Sequence, residues 1–191
     1  MSPEPTTITT ATTPTPSPNP NPAERRPTDA DGLLDRETFA ALFRRHPAGV
    51  AVITLTDGVR PVGFTATSVI SVSAQPAVLA FSINDTSSAW PALSRSATVT
   101  VNLLAADQRQ LSTVFATSGI DRFAQVDWHQ LPTGEPVLYG TAGWISGRIL
   151  ERVPAGGSHV VIVAADRAQL SNEEPLVYRN RTYHRLLEYE I

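Results

Sequence analysis

The chain has 191 residues, 41% hydrophobic and 17% charged, with a net charge of -3. That length supports one well-buried core and is short for two, and the charge offers no basic excess to attract nucleic acid. Cysteine is absent, which removes disulfides, thiolate catalysis and Cys-ligated zinc; all 15 basic residues are arginine, which removes a Walker or Schiff-base lysine.

Residues 1–31 hold Thr/Pro-rich sequence with eight of the 16 prolines and no aromatic residue. Such a tract buries too little apolar surface to offset the cost of ordering, so it is expected to be a disordered tail before a single domain at 32–191. It lacks the basic start, apolar run and cleavage site of a signal peptide, and no stretch reaches the roughly 18 apolar residues of a membrane span. A cytoplasmic protein without membrane contact is the expectation.

The segment "LLDRETFAALFRRHPAG" predicts a helix capped by Asp35, with Phe39, Leu42 and Phe43 on one face and an end at His46-Pro47. "GVAVITLT" and "PVGFTATSVISVS" predict strands joined at Asp57-Gly58. "PAVLAFSI" is a third strand, hinged at Gln75 and Pro76, with Leu79, Phe81 and Ile83 on one face. "NDTSSAWPALSRS" predicts a short helix capped by Ser87 or Ser88, "ATVTVNLL" a fourth strand, and "AADQRQLSTVFA" a helix capped by Asp107. Two long strands follow in "PVLYGTAGWISGRILERV" and "SHVVIVAADRAQL", and a hairpin turns at Asn180. Strands dominate and helices are few and short, which favours an all-β barrel or sandwich over a doubly wound sheet.

No Gly-rich dinucleotide fingerprint, P-loop or HExxH is present, and the four histidines are too scattered for a metal site. Three features remain. Thr65, Thr67, Ser71 and Ser73 alternate with apolar residues and put hydroxyls on one strand face, which is ordinary for an exposed sheet and equally suited to a hydrogen-bonding ligand. Asn84 to Ser88 place hydroxyls at a helix start, usually a cap and also an anion site. "PAGGSHVVIV" sets His159 at the mouth of an apolar strand after two glycines, where a structural histidine is more common than a catalytic one.

The succession "GVAVIT", "GFTATSVISVS", "QPAVLAFSI", "NDTSSAWPAL", "TVTVNLL", "RF" and "GGSHVVIV" resembles the short-chain flavin reductases, the reductase partners of two-component flavin-dependent monooxygenases and halogenases. The likeness runs from Asp35 to Leu186 and extends to reductases of enediyne antibiotic pathways. It implies a homodimeric, Greek-key, FMN-binding split β-barrel that reduces FAD or FMN with NADH, NADPH being the less expected donor. A separate oxygenase would then receive the reduced flavin by diffusion. Thr65, Ala66, Thr67, Ser68, Ser71, Val72 and Ser73 would border the isoalloxazine and ribityl chain. Ser82, Asn84, Ser87 and Ser88 would approach the phosphate, while Asn102, Leu103, Leu104, Gln108 and Phe123 would complete the pocket. His159 would align the nicotinamide. The family's Gly-Asp-His is Gly157-Ser158-His159 here, which leaves open what orients the histidine. A flavin-bound split-barrel oxidase acting on its own substrate and a non-catalytic flavin carrier are the alternatives.

Overall fold

A computed structural model describes residues 32–187; the expected tail at 1–31 lies outside the described residues. The chain divides into two compact units, Met1–Ala41 and Leu42–Ile191. Helix α1 (Arg36–Arg45) begins in the first. Its cap is the one expected, because Asp35 Oδ1 accepts the N–H groups of Glu37 at 2.9 Å and Thr38 at 3.0 Å. These bonds, that of Thr38 foremost, hold the Asp35 carboxyl below its ordinary value.

The second unit is mostly strand. In chain order it holds β1 (Ala48–Gly49), β2 (Ala51–Thr56), β3 (Pro61–Ala66), β4 (Ile70–Ala74), β5 (Ala77–Asn84), α2 (Trp90–Leu93), β6 (Thr98–Leu103) and α3 (Arg109–Ala116). There follow β7 (Trp128–Gln130), β8 (Pro136–Leu138), β9 (Gly143–Ala155), β10 (Ser158–Leu170), β11 (Val177–Arg179) and β12 (Thr182–His184). Seven strands form one antiparallel sheet in the order β3-β2-β6-β9-β10-β5-β4. β5 and β6 are consecutive in the chain yet separated by β9 and β10, a Greek-key crossing.

The two edge strands, β3 and β4, are joined by only Thr67, Ser68 and Val69. Four Cα–Cα steps span about 15 Å at most, whereas the edges of a flat seven-stranded sheet lie about 29 Å apart. The sheet therefore curls into a barrel, and with no ladder between β3 and β4 the barrel is split between its edges. Ser68, within this connection, is tied to β5, its Oγ accepting the N–H of Ser82 at 2.9 Å.

Inside the barrel lie Ile53, Leu55, Phe64, Leu79, Phe81, Ile83, Val99, Val101, Val161 and Val163, closed at one end by Ala89 and Leu93. A second cluster, with Val52, Leu104, Phe115, Phe123 and Leu138, packs on the other side of the sheet. β2 is thus covered on both faces, which explains its run of five fully buried residues.

Three expectations are corrected. "GFTATSVISVS" is not one strand: it breaks at Thr67–Val69 into the two opposite edges, so its hydroxyls form no continuous row, and Ile70 and Val72 are 59% and 55% exposed. α3 is not capped by Asp107, since Gln108 occupies the cap and its Oε1 accepts the Ala105 N–H at 3.0 Å. α2 is not capped by Ser87 or Ser88; Ala89 stands there, without a side-chain cap. Among the described residues no helix is long and apolar enough to cross a membrane.

Candidate active site

Where β5 runs on beyond its ladder with β4, the split beside β3 opens into a groove of ≈ 300 Å3, walled by Phe64 and Phe115 and lined with Thr65, Ser82, Asn84, Thr86, Ser87, Ser88 and Arg122. Thr65 holds its wall by donating from Oγ1 to the Ser112 carbonyl at 2.6 Å, which ties β3 to α3. Ser82 and Asn84 alternate with the buried Phe81 and Ile83, so strand pleating turns them outward. Beyond Asn84 the loop folds on itself: Asn84 Oδ1 accepts from Thr86 through N–H at 2.8 Å and through Oγ1 at 2.5 Å.

Arg122 crosses the groove. Its Nη1 donates to the Gly63 carbonyl at 2.7 Å, Nε to the Thr117 carbonyl at 2.8 Å, and Nη2 to Ser88 Oγ at 3.3 Å. Burial pulls its guanidinium below the ordinary value, yet arginine stays a cation at neutral pH. A second depression, ≈ 630 Å3, shares Ser88 and Arg122 and extends along Arg60–Gly63, Phe123 and Trp128. Two hollows therefore meet at one cation, a suitable seat for a phosphate with room on either side. A four-residue helix supplies little dipole, so the charge at this seat comes from Arg122 and not from the start of α2.

His159 sits elsewhere. Its cross-strand partner is Ile83, and it extends the inward row of Val161 and Val163 to the end of the barrel. The ring stacks on Trp90, with centroids 3.9 Å apart and planes at 22°. Its Nδ1 lies 2.7 Å from Asp85 Oδ1, and the side chain is 18% exposed. Arg152 of β9 fixes α2 beneath this stack by donating to the carbonyls of Leu93, at 2.9 Å, and Ser96. Ser158 pairs with Asn84, and adjacent strand residues point to opposite faces. An acid at 158 would thus point away from the imidazole, and the carboxylate that orients His159 is Asp85.

The expected residues sort into distinct groups. Thr65, Ser82, Asn84, Ser87 and Ser88 meet in the groove. Ala66 is buried in the barrel, Ser68 is bonded to β5, and Thr67, Ser71 and Val72 are exposed, with Ser73 half-buried. Asn102 is fully buried and not in the groove: its Nδ2 donates to the Val52 carbonyl at 3.0 Å and Thr54 Oγ1 at 2.9 Å, and its Oδ1 accepts the Leu138 N–H at 2.9 Å. Leu103 and Leu104 pack into the two cores. Gln108 is spent on Ala105 and on the Tyr139 carbonyl at 2.8 Å. Phe123 edges the larger hollow but stacks edge-on against Phe115 and Trp128. Arg122, Asp85 and Trp90 were not anticipated; the pair Arg122-Phe123 carried the signal, as a lone cation beside an aromatic.

The groove suits a flavin nucleotide: apolar walls, a run of hydroxyls for a polyol chain, and a guanidinium for its phosphate. The chain matches the flavin reductase like domain family over residues 43–187. An NADH:FMN oxidoreductase of Rhodococcus erythropolis is 40% identical over 153 residues, 77% of this chain and 80% of that protein. The reductase subunit HsaB of a flavin-dependent monooxygenase from Rhodococcus jostii is 32% identical over 152 residues, 78% of this chain and 77% of its own length. A flavin reductase domain protein from Arthrobacter sp. FB24 superposes with a TM-score of 0.77 at 38% identity, over 82% of this chain and 100% of that one. The curled antiparallel sheet, the hydroxyl-lined split and these matches agree, and the chain belongs to the flavin reductase like domain family.

Proposed function

We propose that the protein is an NADH-dependent flavin reductase that binds FAD or FMN in the β3–β5 groove and releases reduced flavin to a separate oxygenase. The observation that carries this reading is Arg122 bonded to Ser88 at the junction of two hollows, in a chain whose relatives include an NADH:FMN oxidoreductase and a monooxygenase reductase subunit. A flavin held there would supply, at N5, the acceptor for the hydride of NADH. The protein's own part is placement. Arg122 and the hydroxyls of Ser87 and Ser88 anchor the phosphate, Thr65 and Ser82 replace water around the polyol chain, and Phe64 and Phe115 exclude solvent. The larger hollow beyond Arg122 gives the adenylate half of FAD somewhere to lie.

His159, held through Nδ1, has its other ring edge to offer the nicotinamide, which it would orient without acting as an essential acid or base. His159→Ala tests that role: a raised KM for NADH at saturating flavin supports it, and unchanged NADH kinetics contradict it. A homodimer is part of the proposal. The exposed edge strand β4 carries Ile70 and Val72, and β9 carries exposed Leu150 and Val153, apolar surface of the kind that assembly covers. Light scattering at twice the monomer mass is the expected result. An enediyne antibiotic pathway is the setting that the sequence resemblance suggests for the oxygenase.

Consumption of many equivalents of NADH per protein in the presence of free flavin tests the central reading. A tightly held flavin reduced once, with no turnover of free flavin, favours the oxidase or carrier instead.

A further inference from the structure

Asn84, which ends β5, and Thr86, Ser87 and Ser88 of the loop after it line the groove. Asp85, in their midst, does not. Its side chain turns to the other side of the loop and meets His159 Nδ1 at 2.7 Å, while its backbone N–H donates to the Gly157 carbonyl at 3.2 Å. The loop's far end is tied to the same histidine, because Trp90, which follows Ala89 and opens α2, stacks on the imidazole. A loop made of short polar side chains has little buried surface of its own to hold its shape. Here both of its ends converge on one ring at the start of β10, and only between them does Ser88 reach Arg122.

We propose that Asp85, acting through His159, is a positioning residue for the phosphate-holding loop. The proposal rests on the flavin reading of the groove and adds to it a reason for the Asp85–His159 pair. With a neutral ring, Nδ1–H donates to the carboxylate; the bond fixes the tautomer, and with it the ring face that Trp90 covers. It also turns a carboxylate away from an anion site, where its charge would repel phosphate. His159 thereby serves two sides at once: its Nδ1 holds the loop, and its remaining edge stays partly open, the side chain being 18% exposed against 45% for Asp85.

The test compares a flavin that has a phosphate with one that does not. FMN and riboflavin are titrated into the full chain by quenching of flavin fluorescence, for the unmodified protein, Asp85→Ala, Asp85→Asn, His159→Ala and the double variant Asp85→Ala/His159→Ala. Asp85→Ala should weaken FMN about tenfold, the size of one charge-assisted hydrogen bond, and leave riboflavin within about twofold. Asp85→Asn, which keeps an oxygen for Nδ1–H, should retain most of the FMN affinity. The double variant should be no worse than the poorer single one, since the two side chains act as a unit. Because both ligands are measured on the same protein, a general loss of folding cancels from their ratio. FMN binding unchanged in Asp85→Ala, equal loss of FMN and riboflavin, or additive losses in the double variant would each overturn the proposal. An unmodified protein that binds neither flavin would overturn the reading of the groove itself.

Discussion

Arg122 donates through Nη1 to the carbonyl of Gly63 at 2.7 Å, a bond between residues 59 apart that closes the exposed edge of β3. The same guanidinium reaches Ser88 across the split, so one side chain both satisfies an edge carbonyl and presents charge to the groove. Arg122→Ala is expected to weaken FMN by tenfold or more, about the worth of a hydrogen bond to a charged group, with a smaller effect on riboflavin. Arg122→Lys keeps the charge but loses the planar fork that spans Gly63, Thr117 and Ser88, so it should recover only part of the affinity. Isothermal titration with both flavins measures this. Equal affinities for FMN in all three proteins would remove Arg122 from the phosphate site.

Gly147 has no room for a side chain. A Cβ there would lie 2.1 Å from the Ala164 carbonyl oxygen, where β9 and β10 pair just short of an irregular register. The neighbour is backbone inside a ladder, which cannot yield without breaking pairing. Gly147→Ala should destabilise the barrel by about 2 kcal/mol or more. A thermal melt that matches the unmodified protein would show that the two strands separate more easily than their pairing implies.

Asn102 is expected to matter for folding and not for flavin. Its amide joins β6 to β2 and β8 through three bonds, all fully buried. Asn102→Leu strands the buried Leu138 N–H and removes the bond to Thr54 Oγ1, a cost of about 2 kcal/mol. Urea denaturation should report that loss, while the fraction that folds should bind FMN with unchanged affinity. A stable variant with weakened FMN binding would place Asn102 at the ligand after all.

These outcomes separate what local sequence can carry from what it cannot. The strand alternation of Leu79, Phe81 and Ile83, the Asp57-Gly58 turn between β2 and β3 and the β11–β12 turn at Asn180 are local patterns, and each is found where expected. The break at Thr67–Val69 is not local. Alternation runs on through it unbroken, and only the curl of seven strands forces the chain to change edges there. A buried amide such as Asn102 looks in sequence like a ligand-facing one, because both interrupt an apolar strand. Arg122 belongs to no periodic element at all. Besides the nearby Thr117 carbonyl, its partners lie 34 and 59 residues away, so its place in the groove emerges only from tertiary contact.

The most direct test of the account is the absorbance of NADH at 340 nm with the purified protein and an excess of FMN, repeated with FAD, riboflavin and NADPH. Sustained oxidation of NADH over many equivalents, faster with the phosphorylated flavins than with riboflavin, is the result the account requires. Binding of flavin without turnover of NADH would contradict it.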